Sequence, residues 1–141
     1  MMCDRRLQLH REKPKVVPQM PFEITITREF SAAHALRLYD GSIEPLHGHN
    51  WRVSVAVSAD KLDAIGVVMD FHELQRLVDE VIGPMHNRNL NELAAFATTN
   101  PSAENVAVHL ANTLALPASV RLHKVEVWET ADCSATYRLT D

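Results

Sequence analysis

Residues 30–53 read "FSAAHALRLYDGSIEPLHGHNWRV" and place three histidines close together, His34, His47 and His49, with Glu44 just ahead of the last two. His47 and His49 are two apart at the start of an alternating run, so on a strand both imidazoles share one face. His34 closes the preceding alternating run, and a hairpin between the two runs sets it beside that pair. Three converging imidazoles, with no fourth protein ligand required, match a catalytic zinc site, in which one position stays open for water or substrate. Gly48 lets the chain pass close to a metal without a side chain in the way. Spacing alone leaves the plainer reading open, that these are ordinary surface or core histidines. His10 lies in the N-terminal segment, and His72, His109 and His123 fall singly on separate elements. Structural or solvated roles are expected for these four.

The elements that must position these residues follow from periodicity. "FEITITREFSAAH" sets Phe22, Ile24 and Ile26 against Glu23, Thr25 and Thr27, the alternation of a half-buried strand. "HGHNWRVSVAVSA" alternates again with Trp51, Val53, Val55 and Val57 on one face, and its β-branched content favours a strand. "DFHELQRLVDEVIG" switches to helical spacing through Phe71, Leu74, Leu77, Val78, Val81 and Ile82. Asp70 suits the N-cap with Glu73 three residues on, and Gly83-Pro84 ends the helix. "NPSAENVAVHLANTLALP" predicts a second helix capped by Ser102, with Ala103, Ala107 and Ala111 on a face small enough to pack closely on a sheet. "RLHKVEVWET" and "CSATYRLT" are two more alternating runs joined by a hairpin at Ala131-Asp132. The order β-β-α-α-β-β predicts an α+β domain, an antiparallel four-stranded sheet with two helices on one face.

Composition bounds the function classes. A chain of 141 residues is long enough for one domain with a real core, and its formal net charge of −4 argues against a nucleic-acid surface. No apolar run approaches the ~18 residues that span a bilayer. Residues 1–20 are basic, carrying Arg5, Arg6, Arg11, Lys13 and Lys15 without periodicity, and are expected to be a flexible arm ahead of a single domain at 21–141. They lack the apolar stretch of a secretory signal. Two well-separated cysteines, Cys3 and Cys133, fit a reducing compartment without a disulfide framework, so a cytoplasmic location is expected.

Taken in order, "FSAAH…HGHNWRVSVAV", "VVMDFHELQRLV", "NPSAENVAVHLANTL" and "VEVWET" resemble the 6-pyruvoyltetrahydropterin and 6-carboxytetrahydropterin synthase family over nearly all of residues 22–138. The resemblance implies the tunnelling fold (T-fold), in which subunits assemble side by side into barrels, usually as homo-hexamers. It implies Zn2+ as cofactor, with His34, His47 and His49 as ligands, and a small-molecule pterin as the partner. Glu129 in "VWET" matches the glutamate that pairs with the amino-pyrimidine edge of the pterin, where a carboxylate accepts two hydrogen bonds from a guanidine-like edge. Glu104 in "SAEN" matches a second pocket position at a helix start.

The family's catalytic relay is replaced in this chain. The carboxy branch carries a cysteine base four residues before H-G-H, and here that position is Ile43. The family's L-D-H-x-N-L-N pattern reads "MHNRNLN", so His86 takes the aspartate's place and Asn87 the histidine's. What remains is Glu44 in "EPLHGH", which resembles the type III branch, where a glutamate replaces the cysteine. That branch cleaves the side chain of 7,8-dihydroneopterin triphosphate to 6-hydroxymethyl-7,8-dihydropterin for folate synthesis. On this reading Glu44 moves protons beside the metal, and His86 is a second proton shuttle if its loop shifts by one residue. Two alternatives stand beside the zinc-dependent lyase. One is a pterin-binding homologue with an altered or absent activity, and the other is a 6-carboxytetrahydropterin synthase of the queuosine route, which lacks its cysteine here.

Overall fold

A computed structural model describes residues 21–140. The basic arm expected at residues 1–20, with His10 and Cys3, lies outside the described residues. Strands β1 (Phe22–His34) and β2 (His47–Ala59) run antiparallel in unbroken register, from Phe22 opposite Ala59 to His34 opposite His47. The chain then forms helix α1 (Phe71–Ile82), a two-residue strand β3 (Arg88–Asn89), helix α2 (Ala103–Thr113), and the hairpin of β4 (Arg121–Thr130) and β5 (Cys133–Arg138). The sheet order is β3-β1-β2-β4-β5, and both helices pack on the face that carries Phe30, Trp51, Val53, Val55, Val57, Val125 and Val127. This is the α+β T-fold, with one strand more than the sequence predicts. β3 is parallel to β1, pairing Arg88 with Ala32 and Asn89 with Ala33. Two residues are too few for a pattern of alternation, so no periodicity announces that strand.

Local signals explain the helix starts. Asp70 caps α1 by accepting the His72 N–H at 2.8 Å, and Ser102 caps α2 by accepting the Asn105 N–H at 3.2 Å. Glu73 does not complete a capping box; its carboxylate is taken by Arg76, one turn on, at 2.7 and 2.9 Å. Leu74, Leu77, Val78, Val81 and Ile82 are buried against the sheet, and Arg28 of β1 ties the helix down with a bidentate pair to Asp79 at 2.7 and 2.6 Å. Phe71 departs from the expected core stripe: it is 53 % exposed in the first turn and lines a surface groove with Phe22 and Leu62. Ala107 of α2 is fully buried, which is the close approach that its small side chain permits. Among the described residues no helix is long and apolar enough to cross a membrane.

Candidate metal centre and carboxylate pocket

The closing end of the β1–β2 pair brings the three histidines together. His34 stands directly opposite His47 and Ala32 opposite His49, so all three imidazoles project from the inner face, beside Trp51. One ring nitrogen from each lies within 4.8 Å of the others. His34 is buried, His49 half-buried and His47 exposed, so the cluster has a dry floor and one open side.

Hydrogen bonds at the far side of two rings set their tautomers. His34 Nδ1 lies 2.7 Å from the Pro101 carbonyl and His47 Nδ1 lies 2.8 Å from the Pro45 carbonyl. A carbonyl oxygen only accepts, so each Nδ1 carries a proton and each Nε2 is the atom turned toward the cluster. The Nε2 atoms of His34 and His49 are buried without a hydrogen-bond partner. Burial pushes the His49 imidazole below the ordinary histidine range, against the opposing pull of Glu129. Three converging ring nitrogens, two of them buried without a hydrogen-bond partner, are the donor set that a zinc ion fits.

Glu129 stands against this cluster, its Oε1 3.2 Å from His34 Nε2. That contact has the distance of an ion pair but not the geometry of a hydrogen bond. Glu129 reaches the position through a bulge, since Trp128 pairs with Ser134 and Thr130 with Cys133, which leaves Glu129 unmatched on β4. It lines a cavity of about 190 Å³ with Glu104, Leu36, Ser102 and Cys133. Glu104 sits in the first turn of α2, where the helix dipole favours a carboxylate. Cys133 is an exposed free thiol in the same cavity.

Glu44 is held to the wall of that cavity. Its Oε1 accepts the Leu36 N–H at 2.9 Å and its own N–H donates to the Leu36 carbonyl at 3.0 Å. Its charge is felt at His49. The residues on either side of Leu36 are bonded in the same two-point way by carboxamides. Asn91 accepts from the Ala35 N–H at 2.8 Å and donates to its carbonyl at 2.7 Å, and Asn100 does the same for Arg37 at 2.8 and 3.0 Å. The Arg37 guanidinium donates in turn to the Phe96 and Thr99 carbonyls at 3.2 and 3.1 Å. The loop that ends in the Pro101 carbonyl is thereby fixed to the segment after His34. Sequence reasoning missed Asn91, Asn100 and Arg37, and asparagines in a loop carry no periodic signal that would single them out.

His86 is not brought to the other site residues. It is exposed at the opposite edge of the sheet, where its Nδ1 accepts the Ser31 N–H at 3.1 Å. The three lone histidines behave as expected: His72 is exposed near Asp70, His123 is half-exposed beside Glu23, and His109 packs on Phe96.

Fold and site together define a class: an α+β domain that carries a three-histidine cluster able to hold a metal ion beside a carboxylate-lined cavity. Residues 23–140 match the family described as 6-pyruvoyl tetrahydropterin synthase, and the chain belongs to that family. Dihydroneopterin monophosphate aldolase of Pyrococcus furiosus is 34% identical over 112 residues, covering 78% of this chain and 91% of that protein. A putative 6-carboxy-5,6,7,8-tetrahydropterin synthase of Archaeoglobus fulgidus is 34% identical over 115 residues, covering 82% and 94%. The structure of Caenorhabditis elegans 6-pyruvoyl tetrahydropterin synthase superposes with a TM-score of 0.72 at 27% identity, over 88% of this chain and 100% of that one.

Proposed function

We propose that this protein is a zinc-dependent lyase that cleaves the side chain of a phosphorylated 7,8-dihydroneopterin, releasing 6-hydroxymethyl-7,8-dihydropterin. The observation that carries the reading is the set of orphaned, converging imidazole nitrogens directly against Glu129, with Glu44 on the adjoining wall. The similarity to an aldolase for dihydroneopterin monophosphate supports it. His34, His47 and His49 hold the metal, which when bound supplies Lewis acidity toward the substrate's side-chain oxygens. Glu129 accepts hydrogen bonds from the guanidine-like edge of the pterin, with Glu104 beside it, and this fixes the ring so that its side chain lies toward the histidines. Glu44 keeps one carboxylate oxygen on the Leu36 N–H and has the other for a side-chain hydroxyl proton, whose removal starts carbon–carbon cleavage.

The protein acts as a homo-oligomer on this reading. The cavity lies against β5, at one open edge of the sheet, and His86 lies at the other edge, beside β3. Copies joined edge to edge cover both edges and carry His86 of one copy toward the cavity of the next. The small size of the cavity in one chain, about 190 Å³, favours a pocket completed by a neighbour. The test is product analysis by mass spectrometry. Zinc-loaded protein is incubated with 7,8-dihydroneopterin triphosphate and monophosphate, alongside Glu44→Gln, which preserves the Leu36 bond while removing the base. Hydroxymethyl-dihydropterin from the wild type alone supports the lyase; unchanged substrate from both defeats it.

A second reading, a pterin-binding homologue without turnover, is favoured by the bond that already engages Glu44. It expects retention of a pterin unaltered and loss of that retention in Glu129→Ala. The 6-carboxytetrahydropterin synthase reading keeps relatives in its favour but has Ile43 where that branch carries its cysteine.

A further inference from the structure

A second cavity, of about 530 Å³, opens at the β3 edge and is lined by Ser31, Ala33, Asn50, Asn87, Arg88 and Asn89 among others. Ser31 and Ala33 alternate with Ala32 and His34 on β1, and Asn50 with His49 and Trp51 on β2. These three side chains therefore lie on the sheet face opposite the helices. His49 also lines it, so the cavity adjoins the histidine cluster from the other side of the sheet.

Several of its polar groups are free donors. The Asn89 carboxamide oxygen accepts the Asn91 N–H at 3.1 Å, and the Asn50 oxygen accepts the Ser31 hydroxyl at 2.7 Å. Each oxygen thus accepts one bond, and each amide has an NH2 with no partner among the described residues. Asn87 is held at φ 56° with its N–H on the Ser31 carbonyl at 2.7 Å. The Arg88 guanidinium likewise has neither hydrogen bond nor ion pair among the described residues. No carboxylate lines the cavity. Just outside it, His86 accepts at Nδ1, so its proton sits on Nε2, a further donor.

We propose that this cavity is a phosphate subsite, with Arg88 as its charged contact and the Asn50 and Asn89 amides as neutral donors. A free guanidinium fork matches two phosphate oxygens at once, and carboxamide N–H groups complete the shell. The identity of the bound phosphate as the substrate's own rests on the lyase reading; the subsite itself does not.

The experiment has two arms on the zinc-loaded full chain. In the first, inorganic pyrophosphate is titrated while the backbone amide resonances of Ser31, Asn50, Asn87 and Arg88 are followed. Saturable shifts at those amides, weakened about tenfold or more in Arg88→Gln and recovered only in part by Arg88→Lys, which keeps the charge without the fork, are the expected result. Shifts confined to residues near the histidines, or undiminished in Arg88→Gln, overturn the proposal. Arg88 is exposed, so both variants are expected to fold. The second arm compares KM for dihydroneopterin monophosphate and for dihydroneopterin. A rise of about tenfold in Arg88→Gln for the phosphorylated compound alone assigns the phosphate to the substrate. An equal KM in variant and wild type assigns the subsite to free phosphate. If neither compound is turned over, the lyase reading falls and the titration still decides the subsite.

Discussion

Asn91 and Asn100 make the same pair of hydrogen bonds to the backbone, one to Ala35 and one to Arg37, in surroundings of very different wetness. Ala35 is 4% exposed, whereas Arg37 is exposed. Asn91→Ala leaves a buried N–H and a buried carbonyl unpaired, each costing about 1–3 kcal/mol, so a loss of about 3–4 kcal/mol is expected. Asn100→Ala removes two bonds whose partners water can reach, so only their net worth is lost, about 1–2 kcal/mol. The ordering is settled by burial, since the deleted group is identical. The assay is urea unfolding of the metal-free protein at fixed concentration, read as a shift in midpoint at constant slope. Zinc competition titration is run on both folded variants, because Asn100 anchors the loop whose Pro101 carbonyl sets the His34 tautomer. Loss of such second-layer support weakens metal binding about 10- to 100-fold. The reasoning is refuted if Asn100→Ala destabilises as much as Asn91→Ala, or if Asn100→Ala folds normally and binds zinc with wild-type affinity.

Two further predictions concern the histidines. His34→Ala removes the buried ligand and its Pro101 bond, and it should abolish stoichiometric zinc uptake measured by metal analysis after dialysis; retention of one zinc per chain would discount the assigned ligand set. The metal-free protein should also lose stability toward acid pH. His49 and His109 are both held below the ordinary histidine value by burial, so their neutral forms belong to the folded state. Their contribution is fully present above the unfolded value of about 6.5 and is lost as pH falls through the lower folded values. His109→Gln should flatten the slope of unfolding free energy against pH below about 6.5; an unchanged slope would show that His109 does not contribute.

Much of this protein is legible from residue order alone. Alternation along β1 and β2 marks the strands, and the even spacing of His34, His47 and His49 relative to that alternation puts all three imidazoles on the buried face. Caps at Asp70 and Ser102 announce the helices because each supplies the first free N–H groups with an acceptor close in sequence. These are local relations, carried by a period of two residues or by a side chain reaching two or three positions along. What tertiary structure alone decided is non-local. The strand Arg88–Asn89 exists because β1 offers it an edge, not because two residues have a preference of their own. Glu129 meets His34, 95 positions away, only through the register of β4 with β2 and a bulge against β5. Asn91 and Asn100 become structural only where Ala35 and Arg37 leave the sheet with backbone groups to satisfy. His86 ends at the edge away from the carboxylate cavity, although its sequence neighbours suggested a place in the relay. Periodicity tells which way a side chain faces; which other side chain it then meets is determined by the pairing of distant strands.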